Sequence, residues 1–402
     1  MANAIENFRN WLAHQRNFLF SRYTKDARET QEPERSLIEL PLEIRTKLVE
    51  AVENLPSNPA DKQAIASTLD QTYQNWRDDP DNSANSIAIL SSPVVAVSRI
   101  LSETIEEWAK QKQVTLKLLP FKARPTDIKT IKSKLEDVLE PQDLAQNQDV
   151  QQSEVIVIPN LSWFFLRSLD GLEGIEYLQS LLYDATQNRF WIIGSGEVSW
   201  QYLKSVCSLE AYCGEVFSLP AIKSEDLQSW LNPIFQDLDI IFDKPRIDKQ
   251  ILDGNKDNKT SYFKRLASIS EGVATVAVQG VLKSIKYEPK DGDEDENKNS
   301  EQKKSESEAK VLVAQTPELP KLPDLESADQ YILYSLLLHG DLTIAALAES
   351  LGDLESEVQA RVQLLRSEGV VEQKDRVIKI NPIHYPKVKQ ELAGNNFIIN
   401  RG

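Results

Sequence analysis

The sequence predicts an α/β fold, a three-layer core built on a parallel sheet, with helical segments on either side and a separate C-terminal module. Three observations predict it. Nearly continuous apolar runs recur at Ser86–Leu90, Val114–Leu119, Val155–Ile158, Phe190–Ile193 and Val216–Leu219, the pattern of parallel strands covered on both faces. The gaps between the runs are long enough for crossover helices, and Asp127–Leu139 and Gly174–Thr186 are amphipathic segments of that kind. Segments of helical period flank the alternating stretch on both sides.

Residues 1–82 read as helical. Ile5, Phe8, Trp11, Leu12, Phe18 and Leu19 stand near helical spacing in the first segment. A second helix follows Pro41, from Leu42 to Leu55, and a third runs from about Ala60 to Trp76 with Ile65, Leu69, Tyr73 and Trp76 on one face. Asp78-Asp-Pro-Asp-Asn-Ser83 then breaks the pattern. Residues 83–220 hold the apolar runs and their crossovers. Residues 221–287 turn helical again, with Ser224 capping Ser224–Trp230 and Ser261–Ile269 and Val273–Ile285 completing a small all-helical unit.

Residues 288–321 read as a disordered acidic linker. Between Lys290 and Lys310 there are five lysines and eight acidic residues, and the only apolar side chain is Ala309. Such a segment buries too little surface to offset its ordering entropy. Residues 322–402 form a unit of their own. Helical patterns cover Ala328–Leu338, Thr343–Leu351 and Ser356–Ser367, and two short strands follow at Val370–Gln373 and Val377–Ile380. Helix, helix, helix, then hairpin resembles the winged helix-turn-helix order.

Bulk properties narrow the function. At 402 residues and 41% hydrophobic content the chain supports two or three domains with real cores. The formal charge is −16, from 46 basic and 62 acidic residues, which argues against a nonspecific nucleic-acid binder. The start, Met1-Ala-Asn-Ala-Ile-Glu6, has neither a basic nor an apolar leader region. No apolar stretch is long enough to span a bilayer. A cytoplasmic protein is expected, with Cys207 and Cys213 reduced, small and buried.

Four places in the core resemble the P-loop NTPases of the AAA+ and STAND kind, over roughly residues 83–285. The first is the strand, loop and helix at Ser86–Ile105. A Walker A loop would run Gly-x-x-x-x-Gly-Lys-Ser/Thr over Ser91-Ser-Pro-Val-Val-Ala-Val-Ser98. Here the glycine places hold Ser91 and Ala96, the lysine place holds Val97, and only Ser98 remains. The second is Val155-Ile-Val-Ile-Pro-Asn160, similar to a Walker B strand. That resemblance implies two terminal acids, one for the magnesium shell and one for the attacking water, and their places hold Pro159 and Asn160. The third is Phe190-Trp-Ile-Ile-Gly-Ser195, which looks like a strand ending in the polar sensor residue Ser195. The fourth is Leu266-Ala-Ser-Ile-Ser-Glu-Gly272, similar to a helical lid segment.

The expected fold is therefore a P-loop-like core with its nucleotide site degenerate. Glycines let backbone N–H groups close round phosphates, and Ser91 and Ala96 restrict that backbone. A lysine adds a charge-assisted bond worth on the order of 1.5–3 kcal/mol, which Val97 cannot supply. Without the carboxylates there is no magnesium anchor. No catalytic residue, cofactor or ATP hydrolysis is expected.

The terminal modules carry the remaining candidate contacts. The candidate recognition helix Ser356–Ser367 holds Arg361 and Arg366, and the hairpin after it holds Lys374 and Arg376, which could touch a DNA backbone. From Leu322 to Gly402 there are eight basic and twelve acidic residues, so DNA contact stays open but charge disfavours it against a protein partner. The N-terminal helix sets Phe8, Trp11, Phe18 and Phe20 beside Arg9, Arg16 and Arg22, which leaves peripheral membrane contact open beside packing on the core. His14, His339 and His384 stand far apart, and no His-x-x-x-His or Cys-x-x-Cys pairing supports a metal site. The reading is a pseudo-ATPase serving as a protein-binding adaptor or regulatory scaffold, its winged helix on a flexible leash. A winged-helix transcription regulator and a nucleotide-sensing switch without hydrolysis are the alternatives.

Overall fold

The computed structural model describes residues 40–119, 121, 123–139, 154–183, 189–243, 258–289 and 310–399. It divides into two compact units. One combines Pro56–Ala221 with Lys321–Gly402; the other combines the segment ending at Leu55 with Ile222–Pro320.

The first unit is built on a five-stranded parallel sheet. Its strands are β1 (Ser86–Ser91), β2 (Leu116–Leu118), β3 (Glu154–Ile158), β4 (Arg189–Gly196) and β5 (Glu215–Ser218), in the order β2-β3-β4-β1-β5. Every residue of β1 is buried, as are all of β4 but its last and all of β3 but its first. This is why the runs read as continuously apolar. Alternate side chains point to opposite faces. Ile87, Ile89, Val155, Val157, Phe190 and Ile192 join one cluster with Ile65, Leu69, Tyr73, Trp76, Leu101, Ile105 and Trp108. Those partners belong to α2 (Pro59–Asp78) and α3 (Val97–Lys112). Trp191, Ile193, Ile156 and Ile158 face the other way and are equally buried. There the sheet meets a 3₁₀ turn at Leu161–Phe164 and α6 (Glu197–Cys207), which follow α4 (Thr130–Leu139) and α5 (Glu173–Tyr183) in the chain.

Local chemistry explains the helices. Asn58 caps α2 by accepting from the Ala60 N–H at 3.2 Å, and Pro59 occupies the first turn, where its missing N–H costs nothing. Tyr73, Trp76, Trp108 and Phe190 then pack edge to face or tilted, with ring centroids 5.0–5.8 Å apart.

Residues 221–287, expected to be all helical, also carry strand, and from Ile222 onward they lie in the second unit. α1 (Leu42–Glu53), α7 (Ser224–Asp237), α8 (Asn258–Ile269) and α9 (Ala274–Ser284) share it with β6 (Ile241–Phe242), β7 (Ile285–Pro289) and β8 (Lys310–Ala314). The strands pair in the order β6-β8-β7, with β7 antiparallel to β8 from Ile285↔Ala314 to Pro289↔Lys310. The expected linker of residues 288–321 therefore contributes its two ends to a ladder; residues 290–309 lie outside the described residues. The run Val311-Leu-Val-Ala314 supplies the apolar side chains that the acidic stretch lacks. Leu312 and Ala314 join the core of this unit with Leu48, Val52, Phe235, Tyr262 and Phe263.

The helical N-terminal region expected over 1–82 is divided. α1 belongs to the second unit, whereas α2 packs on α3 in the first. Residues 1–39, including the aromatic and arginine-bearing segment at 5–22, lie outside the described residues.

The C-terminal module runs α10 (Ser327–His339), β9 (Leu342–Thr343), α11 (Ile344–Leu351), α12 (Glu355–Ser367), β10 (Val371–Lys374), β11 (Val377–Ile380) and α13 (Tyr385–Gly394). Its strands pair β10-β11-β9. The three helices and the hairpin stand where periodicity put them; β9 and α13 are additional. The module is no independent body on a leash. It belongs to the same unit as the sheet, and α10 packs against α6 and the 3₁₀ turn. The physical reason lies in α10 itself. Its Ile332-Leu-Tyr-Ser-Leu-Leu-Leu-His339 stretch is buried throughout, so one face packs within the module and another on the α/β core.

Candidate functional site

The C-terminal edge of the sheet is where strand order concentrates the residues singled out above. Register places Ser195 beside Leu90 and Gly196 beside Ser91. On the other side of β4, Ile158 pairs Ile193, so Pro159 follows at the level of Gly194. A Cβ on Gly194 would lie 2.4 Å from the Pro159 carbonyl oxygen and 2.4 Å from Leu101 Cδ1. Only glycine permits this approach of β4 to β3 and α3. Ser91, Ser195, Pro159 and Asn160 thus come together at the ends of β1, β4 and β3.

Their chemistry points inward. The loop after β1 is closed on itself: the Val95 N–H donates to the Ser92 carbonyl at 2.9 Å, the Val97 N–H donates to the Val95 carbonyl at 2.9 Å, and Pro93 has no N–H. α3 begins at Val97, with Ala96 as an N-cap that offers no side-chain bond. Val97 is 3% exposed and packs in the cluster that contains Ile89, Ile100 and Leu101. Ser98 is buried beside it. The Ser91 and Ser195 hydroxyls donate to the next residue's carbonyl, at 3.3 and 3.2 Å. Asn160 Oδ1 accepts from the Ser162 N–H at 3.1 Å and from the Ser162 hydroxyl at 2.8 Å, capping the 3₁₀ turn. Ser92 Oγ is buried without a hydrogen-bond partner.

One carboxylate at this edge escaped the sequence reading. Glu197 opens α6 directly after β4. Burial raises its pKa while Lys389 pulls it the other way. An acid in a helix's first turn complements the N-terminal dipole, and Gly194-Ser-Gly-Glu197 followed by a helical pattern was the available signal. Arg124 and Arg167 were missed as well, because nothing local distinguishes them; both reach across to the C-terminal module.

In that module the candidate contacts separate. Arg361 is engaged internally, 2.7 Å from Glu326 and 3.4 Å from Asp329. Arg366 and Arg376 are exposed, and Lys374 is half-buried on β10. Glu355, Glu357 and Glu368 are exposed at the ends of α12. Leu354 and Leu364 are 67% and 63% exposed on the same helix and its cap.

Cys207 and Cys213 are free thiols and half-buried rather than core residues. Burial pushes Cys213 up to about 12 and raises Cys207 also, which leaves both poor nucleophiles. Among the described residues no group of three or more His, Cys, Asp or Glu side chains is placed to hold a metal ion. No helix among them is long and apolar enough to cross a membrane.

No protein-family model matches the chain, and no curated protein matches it. Several solved structures align with it at low identity. Cdc6p from Pyrobaculum aerophilum shares 12% identity over 85% of this chain and 96% of its own, with a TM-score of 0.36. The ORC2 protein of Aeropyrum pernix, solved in ADPNP-ADP complexes, shares 13% over 85% and 95%, with a TM-score of 0.35. The RuvB Holliday junction branch migration motor of Thermotoga maritima shares 12% over 81% and 94%, with a TM-score of 0.31. TM-scores of this size carry no argument about this chain; its α/β architecture rests on the sheet described above.

Proposed function

We propose that this chain is a pseudo-ATPase of AAA+/STAND-like build whose task is binding, a protein-binding adaptor or regulatory scaffold with a winged-helix module. One observation carries the reading: the loop after β1 spends the Val95 and Val97 amides on its own carbonyls and buries the Val97 side chain where a phosphate-binding lysine would reach out. A phosphate needs free N–H groups and a cation there; this loop has two of its amides already engaged and no lysine at the position that would supply the cation. The absence of acids at Pro159 and Asn160 removes the usual magnesium anchor in the same place.

Protein contact is the better use of the winged helix. Arg361 is held by Glu326 and Asp329, and the ends of α12 present glutamates where DNA presents phosphates. A phosphate-release assay on the full chain with magnesium and ATP tests the core of the proposal. Phosphate release at the buffer blank supports it. Turnover that disappears in the Ser98→Ala/Ser195→Ala double variant overturns it; turnover that survives there belongs to a contaminant.

A further inference from the structure

The last turn of α10 ends in carbonyl groups that its own helix cannot satisfy. Donors from the α/β core satisfy two of them, those of Leu338 and His339. The Ser199 hydroxyl, in α6, donates to the Leu338 carbonyl at 2.5 Å. Arg124 Nη2 donates to the His339 carbonyl at 3.1 Å, while its Nη1 donates to the carbonyl of Phe165. One guanidinium therefore ties the α10 terminus to the chain just beyond the 3₁₀ turn. Arg167 repeats the device on the next helix, with Nη2 donating to the Ser350 carbonyl near the end of α11 at 3.1 Å. The positive groups stand at the negative ends of two helix dipoles, where cations stabilise.

Side chains close the joint. The Arg167 backbone N–H donates to His339 Nε2 at 3.3 Å, so the imidazole is neutral and carries its proton on Nδ1. Burial, Arg124 and Arg167 all hold its pKa well below the usual value. Phe165 packs on His339 with ring centroids 4.8 Å apart and stacks on Tyr202 at 5.8 Å. The Arg167 guanidinium lies 5.9 Å above the Tyr334 ring. Gly340, at φ 77°, turns the chain away from the joint. Asp341 follows, its carboxyl raised by burial and lowered by Arg124 and Lys379.

Both seats of this joint begin at the candidate site. The 3₁₀ turn starts from Asn160 at the end of β3, and α6 starts from Gly196 at the end of β4.

We propose that Arg124 and Arg167 form a nucleotide-independent latch that clamps the C-terminal module on the two segments leaving the C-terminal edge of β3 and β4. The two segments that leave this edge thus seat the chain's own α10. The latch fixes the module's orientation, so that core and module present one composite surface to a partner, and breaking it is the event a regulator would exploit.

The test is hydrogen exchange read by mass spectrometry on the full chain, comparing the wild type with Arg124→Gln/Arg167→Gln and with Ser199→Ala. The latch predicts at least about tenfold faster exchange in α10 peptides of the double variant. It predicts a smaller acceleration for Ser199→Ala and no change in β1 or β4 peptides for either. Unchanged α10 exchange in both variants overturns it. If the double variant fails to fold, Ser199→Ala, which removes one bond and no charge, decides alone. Wild-type α10 exchange that responds to magnesium and ATP overturns nucleotide independence. Nucleotide binding that leaves α10 unaffected counts against the proposed function and spares the latch.

Discussion

Val97 determines what the loop after β1 can do. A lysine placed there by Val97→Lys is not expected to create a phosphate site, because the position is 3% exposed and faces the apolar cluster between the sheet and α3. We expect the variant to lose roughly 2–5 kcal/mol from burying an unpaired ammonium, read as a lower urea midpoint, with phosphate release still at the blank. Asp61 gives a second test. Burial raises its carboxyl from 3.8 to about 6, against a hydrogen bond from Asn58. Between those values the folded chain holds a proton that the unfolded chain does not, so this residue's contribution to stability falls as pH rises through that window and stays low above it. Asp61→Asn should therefore be more stable than the wild type at pH 7.5, by on the order of 1–3 kcal/mol, with the advantage gone near pH 4. Equal melting curves at pH 7.5 would contradict that account. The identities of Ser91, Ala96, Val97, Pro159 and Asn160 were legible in the chain, since a motif position is filled or it is not. Burial of Asp61 was not legible, because an acid in a helix's first turn ordinarily faces water.

At the scale of elements, period and order carried most of the fold. The strands at Ser86, Val155 and Phe190 announced themselves by unbroken apolar runs, and they are the three central strands of the sheet. The weaker runs at Val114 and Val216 became short edge strands, β2 and β5, whose partly exposed residues dilute the pattern. β6 and β9 have two residues each and leave no periodic trace. The β7–β8 ladder was hidden for another reason, since its strands are separated in sequence by the acidic stretch and only pairing in space unites them. Two glycines test the packing of elements. Gly194→Ala drives a methyl group into the Pro159 carbonyl, which as backbone cannot swing aside. Gly280→Ala meets only Leu266 Cδ1, at 2.8 Å, the far end of a flexible side chain in a neighbouring helix. The first should cost about 1–3 kcal/mol. The second should change stability by less than about 1 kcal/mol, since better helix propensity offsets the crowding. Chemical denaturation of the two variants side by side checks the order, and a milder effect at Gly194 would contradict the close approach of β4 to β3.

For the molecule as a whole, the sequence misplaced the C-terminal module. An acidic stretch of low apolar content suggested a free tether, yet α10 docks its module on the sheet's own unit. The clue was present in α10, whose apolar residues circle the helix instead of lining one stripe. Exposed Arg366 and Arg376 are too few to make a DNA face beside Glu355, Glu357 and Glu368. A fluorescent duplex should therefore show no saturable, salt-dependent binding near physiological ionic strength; tight binding lost in Arg366→Ala/Arg376→Ala would contradict this.

The central proposal is that the C-terminal edge of the sheet does not hold a nucleotide, and a thermal-shift titration of the full chain tests it most directly. ATP, ADP and GTP are each added with magnesium to about 1 mM, where a site with a dissociation constant near 10 μM would add about 2.7 kcal/mol. The account predicts melting curves that superpose at every nucleotide concentration. A saturable upward shift that Ser98→Ala/Ser195→Ala abolishes would contradict it.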